Sequence, residues 1–167
     1  MKNSLHILLL MLSLTSAVGA QDAGMDLSRL LSNQGFLSIS MMNGGQYEIM
    51  ARLDEHHNVR LLVDTGCDVT TFDVALMKKL KYPLKQSTKG NTIGGSVEQQ
   101  TTAVESIQVG EVTMGPTMVS CTTLEHVNKP RREHHLPTID GILGVDLMTK
   151  HSAIIDVTKS ILYLKKG

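Results

Sequence analysis

Val59-Arg60-Leu61-Leu62-Val63-Asp64-Thr65-Gly66 is the stretch on which the reading of this chain turns. Its nearly unbroken apolar run predicts a buried strand. The run ends on a carboxylate, a β-branched hydroxyl residue and a glycine. An acid at the end of a hydrophobic strand costs several kcal/mol unless it is hydrogen-bonded or shares a proton. Asp64 is therefore a candidate for chemistry, as one half of a carboxylate pair.

The flanking sequence sets that strand among others. Upstream, Tyr47, Ile49, Ala51 and Leu53 alternate with Glu48, Met50 and Arg52, the period-two pattern of a half-buried strand. Residues 54–58 form a polar hairpin loop that returns the chain into the 59–64 run. Downstream, residues 69–72 are β-branched and aromatic, and Asp73 is placed to cap a short helix over 74–80. Residues 84–102 are polar and extended, with Ile93-Gly94-Gly95 near their middle. Two glycines at a tip fit either an ordinary surface hairpin or a lid over a cleft. Residues 104–109 alternate, Gly110-Glu111 turns the chain into 112–114, and 118–121 continue extended.

Residues 124–137, with Pro130, Arg131, Arg132, His134 and His135, are predicted to be a charged, exposed loop. Ile139-Asp140-Gly141-Ile142-Leu143-Gly144-Val145-Asp146-Leu147-Met148 then leads into a short helix ending near His151. Residues 153–157 and 161–164 read as strands joined by a Thr158-Lys159-Ser160 turn. Many short strands and tight turns predict an all-β, closed barrel-like domain with a flap hairpin and one or two short helices.

Composition narrows the function classes. The chain has 167 residues, 41% of them hydrophobic, enough for one domain with a core. Lysine plus arginine balance aspartate plus glutamate at 16 each, which argues against nucleic-acid and anionic-membrane partners. Aromatic residues are 3% with no tryptophan, so base-stacking platforms are not expected. Ten methionines are expected to share the core volume with Leu, Ile and Val. At the N-terminus, Lys2, an apolar run over 5–18 and Val18-Gly19-Ala20 read as an export signal spanning residues 1–20. Its removal is expected to leave no stable membrane anchor, and the expected destination is the periplasm or the exterior. Residues 21–44 read as an arm or added strand, with a helical turn or two capped by Asp26 and a strand over 36–42. Residues 45–167 are the main domain. Cys67 and Cys121 are either a disulfide pair or free buried thiols.

Asp-Thr-Gly alone is a weak motif, but the order of elements around it is informative. Leu62-Val63-Asp64-Thr65-Gly66, flap-like Ile93-Gly94-Gly95 and Ile142-Leu143-Gly144 with its helix together resemble the retropepsin-like aspartic proteases. Residues 140–147 are especially similar to cellular and bacterial members, and the resemblance covers roughly 45–165. It implies the acid-protease fold and endopeptidase chemistry without a cofactor or metal. Asp64, Thr65 and Gly66 would be catalytic. Asp68, Ile93, Gly94, Gly95, Ile142, Leu143 and Gly144 would line the substrate site. Two aspartates would share one proton and activate a water, because two charges a few ångströms apart do not both ionise easily. The Thr65 hydroxyl would bond across to the partner loop. Asp140, Asp146 and Asp156 lack the Thr-Gly context, so a homodimer would supply the second carboxylate, with the termini or residues 21–44 adding strands at the interface.

The chain departs from the family pattern in places. Cys67 follows the glycine where relatives often carry alanine or serine, and is either a redox-sensitive thiol or a small space-filler. Asp68 matches an acid that contacts substrate backbone in the retroviral enzymes, but Val145 stands where those enzymes carry a partnering arginine. Asp68 is thus a substrate contact or a turn residue. His56-His57, His126, His134-His135 and His151 do not fall at metal-ligand spacing. The expected partner is a polypeptide substrate; the alternatives are a catalytically silent domain of the same shape that binds peptides or proteins, and an unrelated ligand-binding barrel.

Overall fold

The computed structural model describes residues 27–86, 90–92, 95–97 and 99–166. The predicted signal at 1–20, the arm as far as Asp26, and Ile93 and Gly94 of the flap tip lie outside these residues. The chain opens with helix α1 (Leu27–Ser32), strands β1 (Phe36–Ser40) and β2 (Met42–Asn43), then the hairpin β3 (Tyr47–Leu53) and β4 (His57–Val63). Strand β5 (Thr71–Asp73) runs into α2 (Val74–Lys79), followed by β6 (Lys85–Gln86), β7 (Gly90–Thr92), β8 (Gly95–Val97) and β9 (Gln100–Val104). Then come β10 (Ile107–Val109), β11 (Val112–Met114), β12 (Thr117–Thr122) and α3 (Glu125–Glu133). The chain ends with β13 (Gly141–Leu143), α4 (Val145–Lys150), β14 (Ile154–Asp156) and β15 (Ile161–Lys165).

The main sheet follows the order β11-β10-β3-β4-β13-β5-β12-β9-β6, with β2 beside β3. A second sheet has the order β1-β15-β14, and β7 pairs with β8 in a separate two-stranded sheet. Alternation along β3 buries Ile49, Ala51 and Leu53 as its spacing predicts. Leu162 and Leu164 of the small sheet join Ile49, Leu61, Ile107 and Met114 in one core. Asp73 caps α2 as expected, its Oδ1 accepting from the N–H groups of Ala75 (2.8 Å) and Leu76 (3.3 Å).

Several expectations change. The main sheet is an open path among the described residues, not a closed barrel, and it ends in short strands: two residues in β6 and three in β11. Among the described residues four short helices are present instead of one or two. The expected strand over 104–109 bends at Glu105–Ser106, so that Val104 and Ile107 both turn inward. Three methionines, Met42, Met50 and Met118, are exposed, while Met41, Met77, Met114 and Met148 fill core positions. The segment after Leu124 is the largest difference. It is helical, not an exposed loop, with Asn128 and Arg131 buried. Intrinsic propensity, weakened by Pro130, is overridden there by tertiary contacts. Arg131 Nη2 meets Glu48 Oε1 at 2.5 Å, so the outward face of β3 is covered at Glu48, while Met50 and Arg52 farther along it stay exposed.

Candidate active site

Asp64 stands where β4 ends, and the backbone there folds back on it. The Asp64 N–H donates to the Leu143 carbonyl (3.3 Å), and the Cys67 N–H donates to the Asp64 carbonyl (3.2 Å). The Gly66 N–H donates to Asp64 Oδ1 (2.8 Å), satisfying one carboxylate oxygen from within the same turn. A Cβ on Gly66 would sit 3.2 Å from that oxygen, so glycine gives the turn room to close on the acid. Asp64 Oδ2 has no hydrogen-bond partner among the described residues. Asp64 is half-buried, and Thr65 and Gly66 are exposed. The acid is therefore a surface group held by an amide donor, which removes the cost of fully burying it.

Beneath this turn lies β13, parallel to β4 with Leu61 beside Gly141, Leu62 beside Ile142 and Val63 beside Leu143. Thr70, fully buried, joins the two loops. Its hydroxyl accepts from the Gly144 N–H (3.1 Å) and donates to Asp146 Oδ1 (2.7 Å). The Thr70 N–H reaches the same oxygen at 2.9 Å. Val145 N–H donates to the Cys67 carbonyl (2.8 Å) and Asp146 N–H to the Asp68 carbonyl (3.2 Å). Packing is so close that a Cβ on Gly144 would lie 2.7 Å from Thr70 N and Val69 C, and 2.9 Å from the Cys67 carbonyl oxygen.

Asp64, Thr65, Gly66 and Asp68 are thus assembled with Ile142, Leu143 and Gly144. Leu143 and Gly144 are enclosed and reach the Asp64 turn through their backbones, whereas Ile142 is 8% exposed. Gly95 lies on β8, paired with Thr92 of β7. Thr65 also lines a groove of about 400 Å³ with Val145, Met148, Ala153 and Ile155.

The model of a family described as "Aspartyl protease" matches residues 49–147, more than half of the chain and the whole of the assembly around Asp64. The chain belongs to the aspartyl protease family. Its fold is retropepsin-like. It is similar to a retropepsin-like aspartic protease from Rickettsia conorii, with a TM-score of 0.57 and 18% identity over 79% of this chain and 91% of that one. It is also similar to EIAV protease complexed with the inhibitor HBY-793, with a TM-score of 0.52 and 21% identity over 71% of this chain and 100% of that one. No curated protein sequence matches it.

As an aspartyl protease family member, the chain uses its other acids as scaffold. Asp140 Oδ2 accepts from the Arg60 N–H (2.8 Å), Asp146 holds Thr70, and Asp156 Oδ1 accepts from the Lys159 N–H (2.9 Å). Thr70 and Asp146 were not recognisable as a pair because 76 residues separate them; the only local signal was an acid in the first turn of α4. Cys67 and Cys121 are both free thiols. Burial raises the Cys67 pKa; hydrogen bonds to Thr71 and to the Val69 carbonyl oppose the rise, and the charges of Asp64 and Asp146 add to it. Among the described residues no cluster of three or more His, Cys, Asp or Glu is arranged to hold a metal ion. Nor is any described helix long and apolar enough to cross a membrane.

Proposed function

We propose that this chain is an exported aspartic endopeptidase that works as a homodimer, each copy contributing Asp64 to one dyad. The observation that carries the reading is the Asp64 carboxylate itself. One oxygen is fixed by the Gly66 amide, and the other is without a partner among the described residues at the mouth of an exposed turn. Two such oxygens brought together share a proton, and the pair titrates as a unit. One carboxylate then takes a proton from a bound water while the other donates to the scissile carbonyl oxygen. The result is a tetrahedral intermediate with no covalent link to the enzyme. Substrate lies extended beneath the β7–β8 hairpin, adding backbone hydrogen bonds as an extra strand.

One Asp-Thr-Gly per chain supports the dimer. So does the Thr65 hydroxyl, which is exposed and without a partner among the described residues, beside a mostly apolar groove that Thr149 and Ser152 also line. Residues 1–20 support export to the periplasm or exterior, giving a mature chain that begins near Gln21. Asp64→Asn tests the mechanism. Cleavage of an unfolded polypeptide between about pH 4 and 7 should fall at least a hundredfold while peptide binding persists. A wild-type protein that binds peptide yet cleaves nothing is a silent binding domain, and an active strict monomer removes the shared dyad.

A further inference from the structure

The charged helix α3 has no evident part in the chemistry, yet it buries polar and charged side chains. A short surface helix ordinarily buries an apolar stripe. Here the buried residues of the helix itself are Asn128 and Arg131. Asn128 uses both ends of its amide on one residue: Oδ1 accepts from the Ile139 N–H (2.7 Å), and Nδ2 donates to the Ile139 carbonyl (2.9 Å). Arg131 Nε donates to the Pro137 carbonyl (2.7 Å), and its Nη2 pairs with Glu48 Oε1 (2.5 Å). Glu48, 2% exposed, uses its second oxygen on Arg60 Nη1 (3.0 Å).

These contacts converge on one place. Arg60, inside β4, and Asp140, just before β13, immediately precede the parallel-paired residues Leu61–Val63 and Gly141–Leu143. They exchange two bonds: Arg60 N–H to Asp140 Oδ2 (2.8 Å) and Asp140 N–H to the Arg60 carbonyl (2.9 Å). Asp140 also accepts from the Asp73 N–H (2.8 Å) through its carbonyl. Four residues on, the same two strands deliver Asp64 and Gly144. Their relative height is what places the Leu143 carbonyl under the Asp64 amide. A buried carboxylate between guanidinium groups adds little net stability compared with apolar residues of the same volume. It does impose direction, which an apolar seat lacks.

We propose that α3 is a brace that sets the β4–β13 register, with Asn128, Arg131 and Glu48 as positioning residues for Asp64. The inference rests on Asp64 being the catalytic carboxylate. Its test is the paired substitution E48M/R131M, which keeps side-chain volume and removes the directional network. Melting temperature, kcat, KM and hydrogen exchange at the Asp64 amide are measured together. The double variant should melt close to wild type and keep KM within about twofold. Its kcat should fall on the order of tenfold to a hundredfold, as slight misplacement of a reacting group does. Exchange at the Asp64 amide should rise at least about tenfold while amides in the β10–β11 hairpin stay unchanged. Arg132→Ala, an exposed change on the same helix, should leave every readout at the wild-type value.

If the double variant does not fold, Asn128→Asp carries the same readouts, because it keeps the acceptor for Ile139 N–H and loses the donor to Ile139 O. Wild-type kcat together with wild-type exchange at Asp64 overturns the brace. So does a loss of kcat that only tracks the unfolded fraction. If the wild-type protein cleaves nothing, exchange alone decides. A local rise at Asp64 upholds the brace while the endopeptidase reading fails, and no rise overturns it.

Discussion

Replacing Asp146 with alanine isolates the tie that holds the Asp64 turn against β13. Asp146 Oδ1 is the acceptor for two donors of Thr70, the backbone N–H at 2.9 Å and the hydroxyl at 2.7 Å. Thr70 is 0% exposed, so water does not simply replace the lost acceptor. Hydrogen bonds to a charged group are each worth about 1.5–3 kcal/mol, and a stranded buried donor costs about 1–3 kcal/mol. Asp146 is half-buried and the hydroxyl is free to rotate to another acceptor, which discounts the two-bond sum to about 2–3 kcal/mol. For a chain of this size that lowers the melting temperature by about 4–12 °C. Asp146→Asn keeps an oxygen acceptor and should cost about 1 kcal/mol. Urea unfolding at neutral pH measures both, with an unchanged m-value expected. An alanine variant within about 0.5 kcal/mol of wild type would refute the reasoning. Equal damage from asparagine and alanine would show that charge, not the acceptor position, matters.

Gly144→Ala should destabilise by about 1–3 kcal/mol or more, since its Cβ would meet rigid backbone at 2.7 Å; Gly66→Ala, whose nearest neighbour is the movable Asp64 carboxylate, should cost less in the same denaturation assay. Burial pushes the Cys121 thiol up from its ordinary value of 9.0 to about 11. The unfolded thiol therefore loses its proton first, so the Cys121 contribution is intact below pH 9 and declines as pH rises toward 11. Stability measured across that window should fall less steeply in Cys121→Val than in wild type, and an identical slope would remove Cys121 as the cause.

Much of the site is legible because its signals are local. The apolar run into Asp64, the glycine that admits its own amide to the carboxylate, and the cap at Asp73 depend on neighbours within a few residues. The alternation of Ile49, Ala51 and Leu53 likewise predicts which face of β3 is buried. Where the same logic assigns Glu48 to solvent, it fails, because alternation records only the core face of a strand. What covers the other face is supplied by a distant segment, here α3. The 104–109 run shows a related limit: Ile107 and Val109 are buried as alternation predicts, but a two-residue bend at Glu105–Ser106 buries Val104 as well, which alternation places on the opposite face.

Strand β1 pairs with β15 of the same chain, joining residues 36–40 to 161–165. The sequence suggests a strand there, but a strand's partner depends on chain closure over more than a hundred residues. By itself the sequence determined a β-rich protein organised around Asp64-Thr65-Gly66, with Ile142-Leu143-Gly144 as its counterpart. Only the tertiary structure decided that Thr70 and Asp146 bind the two together and that a charged segment folds as α3. The physical reason is common to both. A polar residue's role is set by the partner that satisfies it once water is excluded, and folding alone brings that partner near.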